Sequence, residues 1–322
     1  MSPPAPSRRF GGALAVGVGI FLSRVAGLIR ERVLAHYFGL GDAAGAFRAA
    51  MRIPNLLQNL LGEGVLSASF IPVYTRLRAA GRDDDAQRMA RAVGTLLALV
   101  ASAVALLGVV ASPALVDAIA PGFHGATRDL TVRLVQIMFP GVALLVLSAW
   151  CLGVQNSHRK FFLSYVSPVV WNAVVVAAAV IAARRYAGHA DDLVVAVAWG
   201  AVLGSAAQLA VQLPTVWRLL GGLRPTLAPG DPGVRATLRA FGPVFIGRGS
   251  VQISSYLDQI LASYLGPAMV AGMSAAQVLY TLPVSLFGMA VSAAELPEMA
   301  RVTGDATAIA AALRERLRSA LR

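Results

Sequence analysis

The chain has 322 residues, of which 57% are hydrophobic and 14% charged, well short of the roughly 25% charged residues of a soluble domain. That balance excludes an ordinary soluble enzyme, and apolar runs of about twenty residues recur along the length, each enough to cross about 30 Å of hydrocarbon as a helix. The formal charge of +12 does not indicate nucleic-acid binding, because the basic residues punctuate apolar segments instead of forming a tail or one solvated face.

In chain order, Arg8 and Arg9 followed by Gly11 to Leu22 resemble a signal peptide, but the apolar run continues through Ser23 and Arg24 without a small-residue cleavage site. It reads as a retained first span. Hydropathy and breakers predict an all-α polytopic membrane bundle of about eight transmembrane helices, over 11–35, 44–76, 89–119, 129–155, 161–183, 193–218, 235–264 and 268–298. The second span is too long for one straight crossing, and Pro54, Gly62 and Gly64 predict a bend beside a cavity, where freed backbone groups find polar partners. Arginines crowd the N-terminus and the connections after helices 2, 4 and 6, so the N-terminus is expected in the cytoplasm, with Arg184 and Arg185 the exception. Residues 303–322, with Arg314, Arg316, Arg318 and Arg322 among Ala and Leu, read as a cytoplasmic amphipathic tail or as the end of a truncated product.

Ionisable residues at membrane depth are expensive and mark cavities, partners or pathways. Arg24 and Glu31 in helix 1 are seven apart, nearly on one face, with Arg30 and Arg32 flanking it. In helix 2, Arg48, Arg52, Asn55 and Asn59 form a continuous polar stripe that Glu63 extends. Arg30, Arg32 and Arg48 lie close to predicted helix ends and fit snorkelling as well as a cavity, whereas Arg24, Arg52 and Glu63 lie deeper and favour a cavity. Arginines converging on a wet space suit an anionic ligand, above all a phosphate or diphosphate. Helix 7 adds Arg248, Gln252, Asp258 and Gln259; Asp258 reads either as a partner for Arg248 or as the cation or proton site of a coupled transporter.

No catalytic constellation competes. The four histidines lack ligand spacing, the single Cys151 excludes an intramolecular disulfide and a cysteine metal cluster, and neither a Walker A loop nor a dinucleotide glycine fingerprint occurs. The chain is expected to be neither an enzyme nor a metalloprotein.

Ser23 to Glu31 (SRVAGLIRE), Tyr37 to Gly41 (YFGLG), Arg52 to Leu57 (RIPNLL) and Gly62 to Pro72 (GEGVLSASFIP) resemble the MurJ/MviN family. These are lipid II flippases of the multidrug/oligosaccharidyl-lipid/polysaccharide exporter superfamily. Ala120 to Phe123, Phe139-Pro140, Ser167-Pro168 with Asn172, Gln212 to Pro214, Gly242-Pro243 and Leu296-Pro297 extend the likeness over nearly the whole chain.

The resemblance implies a first lobe of six helices over 1–225, the start of a second lobe over 226–302 and a tail over 303–322, with about six helices of the usual fourteen missing. It also implies movement of the undecaprenyl-diphosphate-linked peptidoglycan precursor between leaflets of the bacterial inner membrane by alternating access. Lipid II, membrane lipids and the cell-wall synthesis machinery would be the partners, and a sodium ion or the membrane potential the energy source. An exporter of another polyprenyl-linked saccharide and a non-transporting scaffold remain alternatives. By the same resemblance Arg24, Arg30 and Glu31 match cavity positions of helix 1, Asn55 and Glu63 match polar positions of helix 2, Arg52 stands where a basic residue is usual, and Asp258 matches the region of a helix 7 carboxylate in a sodium site. Three positions depart from the pattern: Gly45 replaces an acidic residue, Gln58 an arginine, and Ala276-Gln-Val278 a segment that often holds another arginine. Arg48 and Arg248, where apolar residues are common, are expected to restore the positive field.

Overall fold

A computed structural model describes the backbone of residues 6–281 and their side chains, except those of residues 6–17, 63 and 248–255. The tail over 303–322 and most of the eighth predicted span therefore lie outside the described residues. Within them the chain forms helices α1 (Pro6–Phe38), α2 (Asp42–Leu61), α3 (Glu63–Ala79), α4 (Asp83–Ile119), α5 (Gly125–Ser157), α6 (Phe161–Arg185), α7 (Ala190–Leu219) and α8 (Pro232–Tyr264). Residues 267–281 are also helical, and no strand occurs among the described residues. The compact unit Met1–Ala271 contains all of α1 to α8.

Helices of 33 to 37 residues, such as α4 and α5, run for about 50 Å, more than a hydrocarbon core needs. The joined pair α2–α3 and each of α4, α5, α6 and α7 are long and apolar enough to cross a membrane. The outer surface agrees: Leu106, Leu107 and Val110 of α4 and Trp199, Leu203 and Trp217 of α7 are each more than half exposed. In water that surface would be a liability; against acyl chains it costs nothing. The protein is a multi-pass membrane protein.

The bend expected in the second span is a break. At Gly62 the backbone turns to ψ −143°, ending α2 and starting α3, and a Cβ there would collide with the Gln58 carbonyl. Only glycine leaves room for that approach. The ladder resumes at once, with Val65 and Leu66 amides donating to the Gly62 carbonyl at 3.2 and 3.1 Å.

Prolines interrupt α2 to α8 as well, and side-chain hydroxyls repair part of the damage. Pro168 cannot donate to the Ser164 carbonyl, and the Ser167 hydroxyl supplies that hydrogen bond at 3.1 Å.

The core lies between α3, α4, α5 and α7, where Phe70, Tyr74, Met89, Val93, Val146, Trp150 and Val216 are buried together. Trp150 lies against Gly94, and its indole N–H donates to the Ala90 carbonyl at 3.1 Å, so no polar atom of the ring is stranded.

The connections after α3, α5 and α7 gather at one end. Arg78 donates to the Ser157 carbonyl at 3.0 Å, Arg91 to the Leu220 carbonyl at 3.2 Å, and the Thr226 amide to Thr95 at 3.1 Å. At the other end the Gly122 amide donates to the Ser263 hydroxyl at 3.2 Å, and Gly45 packs against Pro267. That contact leaves no space for the acidic side chain expected at position 45. α8 begins on Asp231, whose carboxylate accepts from the Gly233 and Val234 amides at 2.7 and 3.2 Å, followed by Pro232 in the first turn.

Candidate functional site

A cavity of about 790 Å³ opens among α1, α2, α3, α5, α6 and α7. On the α2–α3 side its wall carries Asn55, Gln58, Asn59 and Ser67, from the polar stripe and just past the Gly62 break. Facing them are Ser148 of α5, Trp171 and Asn172 of α6 and Gln208 of α7. Arg30 of α1 is the one charged residue of the described wall.

Arg30 is held in two ways. Its Nη2 donates to Glu31 at 2.6 Å, and its guanidinium carbon lies 4.8 Å from the centre of the Trp171 ring, within cation–π range. The second oxygen of Glu31 accepts from Arg48 at 2.5 Å, joining α2 to α1. The three side chains are only 14 to 18% exposed, so this charge-assisted pairing is poorly screened. One carboxylate against two guanidinium groups leaves the cluster with net charge +1, and of the three side chains Arg30 is the one on the cavity wall.

Between α5, α6 and α7 runs a neutral hydrogen-bonded ladder, of which Ser148 and Gln208 reach the cavity wall. Gln208 and Gln212 of α7 both donate to the Ser148 hydroxyl, at 2.8 and 2.5 Å, and Gln155 donates to the Gln212 carbonyl at 3.4 Å. Ser164 of α6 in turn donates to the Gln155 side chain at 3.1 Å. Hydrogen bonds of this kind between membrane helices contribute about 0.6–2 kcal/mol each, so the ladder ties α5, α6 and α7 together. Asn172 is 6% exposed, and its amide nitrogen donates to the Pro168 carbonyl at 2.9 Å, whereas its Oδ1 has no donor.

The structure separates the residues expected to act together. Arg30 and Asn55 line the cavity; Glu31 pairs with both Arg30 and Arg48, and neither Glu31 nor Arg48 is on the described wall; Arg24 lies exposed on α1, also apart from it. Arg52 is half-buried on α2, and its backbone carbonyl accepts from the Tyr256 hydroxyl of α8 at 2.8 Å. Asp258 is exposed on α8. Glu63 opens α3 and Arg248 lies within α8, but their side chains are outside the described residues. Ser148, Trp171 and Gln208 were not expected. Glutamine in an Ala- and Val-rich span is a visible signal for an interior face; a tryptophan in such a span is not.

The comparisons with known proteins follow this geometry. Residues 34–322 match the family model described as "Lipid II flippase MurJ". A Burkholderia cenocepacia protein named "Lipid II flippase MurJ" is 33% identical over 303 residues, covering 92% of this chain and 58% of that protein. A Rhizobium tropici protein named "Probable lipid II flippase MurJ" is 35% identical, covering 89% of this chain and 54% of that one. The chain thus spans just over half the length of these relatives. Among solved structures, "Lipid II flippase MurJ, inward closed conformation" superposes with TM-score 0.74 at 22% identity, over 89% of this chain and 58% of that chain. A superfamily transporter from Pyrococcus furiosus superposes with TM-score 0.61 at 15% identity, over 90% of this chain and 70% of that one. By the extent of the family match, the chain belongs to the lipid II flippase MurJ family.

Proposed function

We propose that the chain carries the first lobe and the start of the second lobe of a lipid II flippase, working in the bacterial inner membrane with its arginine-rich end in the cytoplasm. The observation that supports this is the cavity: about 790 Å³, one guanidinium from a net-positive cluster, and amides and hydroxyls set among apolar side chains such as Met51, Leu145, Leu152 and Trp171. A diphosphate attached to sugars and a short peptide presents that division, a concentrated anion beside many neutral donors and acceptors. Arg30 offers directional N–H groups to phosphate oxygens, and Asn55, Asn59, Gln208 and Asn172 suit the neutral part. The polyprenyl tail stays in lipid, against surfaces such as the exposed face of α4. No covalent step is needed. Membrane potential, about 2.3 kcal/mol per charge per 100 mV, or a sodium gradient acting near Asp258 biases the direction of transfer.

The test is complementation of a cell depleted of its own flippase, together with lipid II binding to the purified chain in nanodiscs. Growth is restored and lipid II binds, and Arg30→Ala abolishes both. If lipid II does not bind while another polyprenyl-diphosphate saccharide does, the second superfamily reading holds. A chain that binds neither is a scaffold.

A further inference from the structure

We infer that Trp171 is a positioning residue for the cavity cation: its indole face carries the Arg30 guanidinium so that nitrogen edges remain available to the phosphate oxygens of a ligand. The inference rests on the anion-binding reading of the cavity. A guanidinium in a partly dry wall needs compensation, and a second carboxylate would provide it only by occupying N–H donors and cancelling the charge. An aromatic face attracts the cation through its quadrupole and takes up no N–H. Arg30 shows that division: one nitrogen is given to Glu31, and the guanidinium carbon lies 4.8 Å from the centre of the Trp171 ring, which takes up none of the other N–H groups.

Trp171 is itself held along its pyrrole edge by α7. Its indole N–H donates to the Ala201 carbonyl of α7 at 3.0 Å, and its five-membered ring lies against Gly204, where an added Cβ would stand 2.9 Å away. Residues of three helices therefore set one guanidinium: Arg30 from α1, the ring from α6, and the carbonyl and the gap from α7. The ring sits in the cavity wall beside Arg30, so the orientation it imposes is felt where the ligand binds.

Two readouts test this with the full chain in nanodiscs. In arginine-labelled protein the Arg30 Nε–H resonance, identified by its loss in Arg30→Lys, carries an upfield ring-current displacement. Trp171→Phe retains most of it, and Trp171→Leu, or Trp171→Met should the leucine variant fold poorly, abolishes it. With farnesyl diphosphate as probe, the Leu or Met variant binds roughly three- to thirtyfold more weakly and Trp171→Phe stays close to the parent. In an Arg30→Ala background the same Trp171 change has no further effect. An undisplaced Arg30 resonance, or losses from Arg30→Ala and Trp171→Leu that multiply independently, overturns the inference. Unchanged binding by Arg30→Ala alone refutes the anion-binding reading instead, and the resonance still decides where the guanidinium sits.

Discussion

Replacing Glu31 with Gln removes the single carboxylate that holds Arg30 and Arg48 together, at 2.6 and 2.5 Å. Taking one partner from a fully buried ion pair costs about 3–5 kcal/mol, because the remaining charge stays in a low dielectric. Here the side chains keep 14 to 18% of their exposure and Arg30 borders the cavity, so water reaches part of the liberated charge. A loss of about 2–3 kcal/mol is the expected net effect, a drop of about 4–12 °C in the thermal midpoint. The same change raises the local charge from +1 to +2, so affinity for a diphosphate increases and added farnesyl diphosphate recovers part of the lost stability. Intrinsic-fluorescence melting of the detergent-solubilised chain, with and without that probe, measures both. An unchanged midpoint, or a lower midpoint with no gain from the probe, refutes the view that Glu31 competes with the ligand for Arg30.

Gln58→Arg places a guanidinium on the cavity wall where the family resemblance expects one; diphosphate affinity rises several-fold, and the gain shrinks with added salt, read from binding isotherms at several ionic strengths. His158, between α5 and α6, is held below the usual histidine range by burial and by Arg78 and Lys160, with Asp83 opposing, and its Nε2 lies 2.8 Å from the Tyr74 hydroxyl. Its folded value is depressed, so its stabilisation is complete above pH about 6.5 and is lost as pH falls through the folded value. Melting curves over that range decline toward acid in the parent and flatten in His158→Asn. Asp231→Ala removes the cap of α8 and costs about 1 kcal/mol, seen as a lower thermal midpoint. Gly62→Ala drives a methyl group into the Gln58 carbonyl and costs about 1–3 kcal/mol by the same assay.

Five of the predicted spans and the break in the second one were legible because their signals are local: apolar runs, and Pro54, Gly62 and Gly64 within one segment. Part of the cavity was legible for the same reason, since Asn55 and Asn59 form a stripe on one helix, whereas Arg30 fitted a helix end as well as a cavity until its surroundings were seen. The rest comes from Ser148, Trp171, Asn172 and Gln208, which are neutral, lie on three helices and meet only through tertiary packing. The charged residues misled in a different way. Arg48 shares the stripe of Asn55 by helical phase, yet its long side chain reaches Glu31 on α1, and Arg24 lies exposed. Spacing places a Cα on a face; for arginine, the partner decides where the charge goes.

The glutamine and serine ladder through Ser148 determines which parts of the bundle can shift. A joint made from several directional side-chain contacts resists sliding, because any offset breaks them together, so α5, α6 and α7 are held to one another. α1 meets them chiefly through α6, where Gly19 abuts Tyr165, and α8 leans mostly on α3 and α4. A covalent tether between α5 and α7 therefore adds little to a joint that side chains already close.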